Sequence, residues 1–245
     1  MAALGKRIIL MAASILLSSS VCLAEYKETA VTDGGRIVGT VRVGGDVVPL
    51  PPQPVYKEQE YCGTTVTDER LVVDADGHLA NVAVHVEGVQ AGKPVPRVEP
   101  VRFDNRKCAF VPHVAAGSVG QTIEMHNEDP FLHDAHAILG PDTLFNLAIP
   151  KGRTVRHVLD RPGIVLVNCN VRHTWMHGYL LVTDDPYHAV TGADGRFVLD
   201  DVPPGTYMVT VWHEVLGTGR REVTVPPGGT ATVDFTLAPV APEKP

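Results

Sequence analysis

The chain has 245 residues, 44% of them hydrophobic and 20% charged, which gives room for one large or two modest globular domains. Glycine (23) and proline (20) are plentiful and aromatic residues few, a composition that disfavours long helices and suits strands joined by turns. The formal charge of −7, with basic residues gathered only into pairs such as Arg220–Arg221, excludes nucleic acid as a partner.

At the N-terminus, Lys6 and Arg7 precede an apolar run from Ile8 to Leu17 that ends in small residues. This is the build of a secretory signal peptide spanning 1–24, with cleavage expected after Ala24. Its removal takes away two basic residues and no acid, so the mature chain carries −9 against the −7 of the whole. No later apolar stretch has the length of a membrane span. The expected product is periplasmic or secreted and has no stable membrane insertion.

Short alternating or β-branched runs follow in series: RIVGTVRV (36–43), RLVVDA (70–75), NVAVHVEG (81–88), QTIEMHN (121–127), TVRHVL (154–159), IVLVNC (164–169) and YLLVTD (179–184). Each reads as a strand, and the Gly, Pro, Asn and Asp between them supply turns. The predicted fold class is all-β, with an antiparallel β-sandwich over 37–185. From 186 the texture changes to short strands punctuated by ADG, PPG and PPGG, which predicts a second, small β-sandwich module over 186–239. The strand 36–43 suits either sandwich; pairing with the second would make the intervening domain an insertion. The Pro-rich end, 240–245, is expected to be a disordered tail.

After export, three cysteines remain: Cys62, Cys108 and Cys169. An oxidising compartment favours pairs. Cys62 and Cys108 have no nearby histidine, so a disulfide between them is the simplest assignment, with a second metal site as the other reading. Cys169 differs, because VNCNVRHTWMHG places His173 four residues on and Met176 three further, between two strands. A thiolate, an imidazole and a thioether are a donor set that favours copper over zinc. A second imidazole must come from elsewhere, and His133 in HNEDPFLHDAHAI, after a Pro-bearing turn, is the best placed. Alone, Cys169 also reads as a buried thiol and Met176 as core filler. His136 and His177 are expected beside the site, as neighbours or fifth donors, and His113 and His126 in hydrogen-bonded packing. Trp212-His213-Glu214 reads as a strand end and turn.

The stretch FVPHVAAGSVGQTIEMHNEDPFLHDAHA, followed some thirty residues later by CNVRHTWM, resembles the cupredoxins, the blue-copper β-sandwich family of plastocyanin and amicyanin. That resemblance implies His133, Cys169, His173 and Met176 as ligands of one copper ion. The Cys-x3-His-x2-Met spacing is similar to the second half of the dinuclear copper loop of cytochrome oxidase subunit II. Val165 stands where that loop has its other cysteine, so a mononuclear site is expected. VTGADGRFVLDDVPPGTYMVTV is similar to carboxypeptidase regulatory-like domains, which are transthyretin-like sandwiches.

The resulting expectation is one-electron transfer by a Cu(I)/Cu(II) couple in a protein that is not an enzyme. Electrons would leave through an exposed edge of His173 near Trp175, toward a basic face on a redox partner such as a periplasmic cytochrome or dehydrogenase. Alternatives are copper binding or delivery without redox turnover, and a structural or carbohydrate-binding role for the C-terminal module.

Overall fold

The computed structural model describes residues 25–238 apart from position 46. The expected signal peptide and the tail at 240–245 lie outside the described residues. Among the described residues nearly all regular structure is β, and the one α-helical turn, Gln59–Cys62, is four residues long. Among the described residues no helix is long and apolar enough to cross a membrane.

Two sandwiches share the chain, each with its own core. In the first, a five-stranded sheet runs in the order Val114–Ser118, His177–Thr183, Gly163–Asn168, His133–Leu139, Asp142–Ile149. A three-stranded sheet of Thr154–Val158, Thr122–His126 and Val101–Arg102 accompanies it. Ile123 and Met125 from the smaller sheet, and Ala135, Val165, Val167 and Leu180 from the larger, are buried in one cluster. Alternation at period two puts those side chains on one face of each strand.

The second core gathers Ile37 and Val41, Val82, Val84 and Val86, and apolar residues from Tyr187 to Leu237. Gly35–Val43 pairs antiparallel with Arg196–Val202 and parallel with Thr230–Thr232 and Phe235–Leu237. Ala83–Glu87 pairs with His188–Val190 and Gly205–His213. The expectation that 37–185 forms one copper-site sandwich is thus corrected at its N-terminal end. The strands at 35–43 and 83–87 complete the C-terminal sandwich, and the copper-candidate sandwich is inserted between Ala83–Glu87 and His188–Val190. Gly39 shows the fit, because a Cβ there would collide with the Val233 carbonyl and the Phe197 ring.

Two further expectations change. The sheets are mixed, with parallel pairs such as Val114–Ser118 on His177–Thr183, because strands distant in sequence can meet in either direction. RLVVDA forms only an isolated bridge, Val73 to Leu79. There Asp74 accepts hydrogen bonds from the backbone of Asp76 and His78 and turns the chain back on itself. Ala83, Val114 and Leu181 form an apolar seam between the sandwiches, with Tyr179 and Trp212 against it.

Candidate metal centre

The site grows from a turn, a strand end and a loop. In the turn, the Asn127 side-chain amide donates to the carbonyls of Phe131 and Ile149, and the Asp129 N–H donates back to Asn127 Oδ1. This braces HNEDP so that His133 opens the strand His133–Leu139 with its ring in the core. Cys169 follows Gly163–Asn168, on the neighbouring strand. The loop then closes on itself, with Met176 N donating to the His173 carbonyl and Cys169 N to the Met176 carbonyl. Arg172 takes the left-handed backbone conformation that so short a loop requires, at φ 71. Asp134 Oδ1 accepts from the backbone N–H of Asn170 and Val171, which ties this loop to the His133 strand.

These elements bring together residues 36 and 4 positions apart. Cys169 Sγ is 3.5 Å from His133 Nδ1 and 3.5 Å from His173 Nδ1. The His133 and His173 rings lie 4.6 Å apart between centroids. All three residues are buried, and Met176 is buried in the same cluster. A metal holding sulfur at ~2.3 Å and nitrogen at ~2.0–2.1 Å sets those ligand atoms about 3.5–3.8 Å apart, depending on the angle. The observed spacings therefore admit an ion between thiol and imidazoles.

Protonation agrees. His133 Nε2 donates to Asp129 Oδ2 over 2.9 Å, which selects the tautomer that leaves Nδ1, facing Cys169, as the ligand atom. Asp129 also accepts from the backbone of Lys107 at 2.7 Å and Cys108 at 2.9 Å. Burial alone would raise its pKa, but His133 and these two N–H groups hold it below the usual carboxylate value. Burial, with His133 alongside, pushes His173 down to about 4, so its ring is neutral at physiological pH. Burial pushes the Cys169 thiol up to about 12. Without a metal it keeps its proton, and a metal that binds must displace it.

The expected exposed edge of His173 is not there. His173 has no exposed surface and its Nε2 has no hydrogen-bond partner. The Phe131 and Trp175 rings pack against it, with centroids 5.3 and 5.2 Å away. Tyr61 in turn packs on Phe131. Its segment is tied down by the Cys62–Cys108 disulfide, while Trp175 Nε1 donates to the Cys108 carbonyl. Cys169 is the free cysteine of the described chain. His136 is held by Thr143 and Asn170, and His177 turns toward Glu214; neither joins the cluster. Sequence reasoning missed Asp129, whose only signal was its place four residues before His133.

Comparison with known proteins does not follow the boundary between the two cores, because the matched family span takes in strands of the first sandwich as well as the second. The carboxypeptidase regulatory-like domain model matches residues 157–238. The chain is similar there to that family over about a third of its length. No curated protein matches the chain. Among solved structures, the chain is similar to a copper-containing nitrite reductase from Thermus scotoductus SA-01, at 29% identity and TM-score 0.32, covering 39% of this chain and 24% of that one. It thus spans about a quarter of that reductase. It is also similar to a purple cupredoxin from Nitrosopumilus maritimus, at 22% identity and TM-score 0.30, covering 34% of this chain and 97% of that one. Amicyanin in a reduced state aligns at 18% identity and TM-score 0.31, covering 40% and 97% respectively.

Proposed function

We propose that the chain is an exported mononuclear copper protein that carries one electron at a time, in which His133, Cys169 and His173 would hold the ion and Met176 would be a fourth, weaker donor. The observation that carries this reading is the buried triad with both imidazole Nδ1 atoms 3.5 Å from one thiol. Thiolate, two imidazoles and a thioether form a donor set suited to copper, whereas zinc more often recruits a second cysteine or a carboxylate.

Bound copper would supply the one-electron couple. The chain supplies the rest. Asp129 fixes the His133 ring and its tautomer, a carboxylate–histidine arrangement that orients a ligand. Asp134 holds the 169–176 loop at the end of the His133 strand. Phe131 and Trp175 keep water from His173, which limits the reorganisation that accompanies each electron. A covered site also opposes ion release, which favours electron transfer over copper delivery. The electron's exit is then through the aromatic cover around His173. The negative charge of the chain suits a partner with a basic docking face, and association that weakens as salt rises.

The decisive experiment is the visible and EPR spectrum of copper-loaded, oxidised protein beside Cys169→Ser. An intense thiolate-to-copper band with copper hyperfine splitting, absent from the variant, is the expected result. A colourless protein, or one that retains zinc alone, would overturn the reading. Electrochemistry then separates redox cycling from copper storage.

A further inference from the structure

His113, His177 and Glu214 take no part in the centre described above, yet the fold brings them together across the two sandwiches. His113 lies just before the strand Val114–Ser118, and His177 opens the strand His177–Thr183. Those strands pair in parallel, and Tyr179 N donates to the His113 carbonyl over 2.9 Å. A Cβ on Gly178 would sit 2.6 Å from that carbonyl oxygen, so glycine permits the approach that leaves the two imidazole rings 5.4 Å apart. Glu214 arrives from the other sandwich, directly after Gly205–His213. Its Oε1 meets His113 Nε2, and its Oε2 lies 3.5 Å from His177 Nε2. The side chains of His113 and Glu214 are 5% and 6% exposed, that of His177 18%.

The hydrogen bonding of His177 is incomplete in a specific way. Its Nδ1 lies 3.2 Å from the Trp175 carbonyl, which can only accept, so Nδ1 carries the hydrogen. Its Nε2 faces a carboxylate oxygen of Glu214 at 3.5 Å, beyond ordinary hydrogen-bond length, which leaves room for a cation between the two atoms. A tetrahedral ion with ligand bonds of ~2.0–2.1 Å sets ligand atoms about 3.3–3.4 Å apart. That closely matches the 3.5 Å gap between His177 and Glu214. The three donor atoms all lie within 4.8 Å of one another.

We propose that His113, His177 and Glu214 form a second metal site, of two imidazoles and one carboxylate, for a divalent ion of the zinc class. Two nitrogens and one oxygen are borderline donors that select such an ion over magnesium or calcium. With three protein ligands, a tetrahedral ion keeps its fourth position for water. The ion clamps the sandwiches together, because Glu214 belongs to one and both histidines to the other. His177 directly follows Met176, so the clamp also fixes the end of the 169–176 loop.

The test uses the full chain carrying Cys169→Ser, which removes the thiolate of the first centre and makes the outcome independent of the copper reading. The protein is incubated with zinc chloride, dialysed and assayed for zinc, then titrated with cobalt(II) for its visible absorption. Expected are one tightly held equivalent of zinc and cobalt bands typical of nitrogen and oxygen ligands. Adding Glu214→Gln or His177→Asn should lower zinc affinity by at least about a hundredfold. Far-UV circular dichroism checks that each variant folds, and the less deeply buried His177 gives a reading if the Glu214 change does not. No zinc in the Cys169→Ser chain, or zinc kept by folded Glu214→Gln and His177→Asn proteins, would overturn the proposal.

Discussion

Asp129→Asn keeps the shape of a fully buried side chain while removing its charge and one acceptor oxygen. Three donors converge on the native carboxylate: Lys107 N on Oδ1 at 2.7 Å, and Cys108 N and His133 Nε2 on Oδ2, each at 2.9 Å. An amide has one oxygen. Placed at the Oδ2 position, it leaves Lys107 N facing an NH2 group; flipped, it leaves both other donors unmet. One buried donor without a partner costs about 1–3 kcal/mol. Loss of the anionic partner of a ligand histidine lowers metal affinity by about 10–100-fold, or about 1.4–2.7 kcal/mol. Urea unfolding of the metal-free proteins measures the first effect, and competition for copper(I) against a chelator of known affinity measures the second. Copper affinity within about threefold of the unmutated protein, in a variant destabilised as expected, would refute the role of Asp129 at the metal and leave it as a brace of the turn.

The Cys62–Cys108 disulfide closes a loop with a sequence separation of 46, for which chain entropy gives about 4 kcal/mol. Replacing both cysteines by serine should lower the unfolding free energy by that order, and a loss under about 1 kcal/mol would show that the segment is held by packing alone. Gly178→Ala drives a Cβ to 2.6 Å from the His113 carbonyl and 2.9 Å from the Phe103 ring. Overpacking of this kind costs about 1–3 kcal/mol, so an unchanged melting temperature would show that the two strands can part freely. Burial pushes His213 and His188 each down to about 4 from 6.5, so the unfolded chain binds protons in that window that the native chain refuses. Their contribution is complete above pH 6.5 and is lost as pH falls toward 4, by about 3 kcal/mol for His213 alone. Glu214 is held down at about 2, because His113 and His177 outweigh its burial. Its contribution is lost only at lower pH, as the solution falls from the ordinary carboxylate range through about 2. Urea midpoints of metal-free protein at pH 7 and 5 check the histidine effect, and equal midpoints would refute it.

The local half of the candidate metal centre was legible from residue types and spacing. Cys169, His173 and Met176 sit within eight residues, and a loop that short can only carry them to one end of two adjoining strands. The Pro-bearing turn after QTIEMHN marked His133, but the strand that sets it beside Cys169 is His133–Leu139 and not QTIEMHN, which lies in the other sheet. Six of the seven named runs coincide with strands. RLVVDA misled because Asp74 satisfies two backbone N–H groups of its own turn, a competition that apolar content does not reveal. The strands Val114–Ser118, His133–Leu139 and Asp142–Ile149 were among those that escaped notice; the first is built largely of Ala, Gly and Ser, and the third follows a single Gly-Pro turn.

What the sequence determined by itself is whatever depends on neighbours a few residues apart: β class, many of the turns, and the donor types gathered in the cysteine loop. Tertiary structure alone decided which faces meet. RIVGTVRV carries one apolar face whichever sandwich it joins, and only its pairing with Arg196–Val202 and the last two strands made the copper-candidate sandwich an insertion. The cover over His173 likewise depends on Phe131 and on a segment over a hundred residues upstream of it, anchored through Cys108. Glu214 meets His113 across 101 residues of chain. Spacing along a chain constrains atoms only within the reach of a turn or a strand; beyond that, packing of complementary apolar faces chooses the partners.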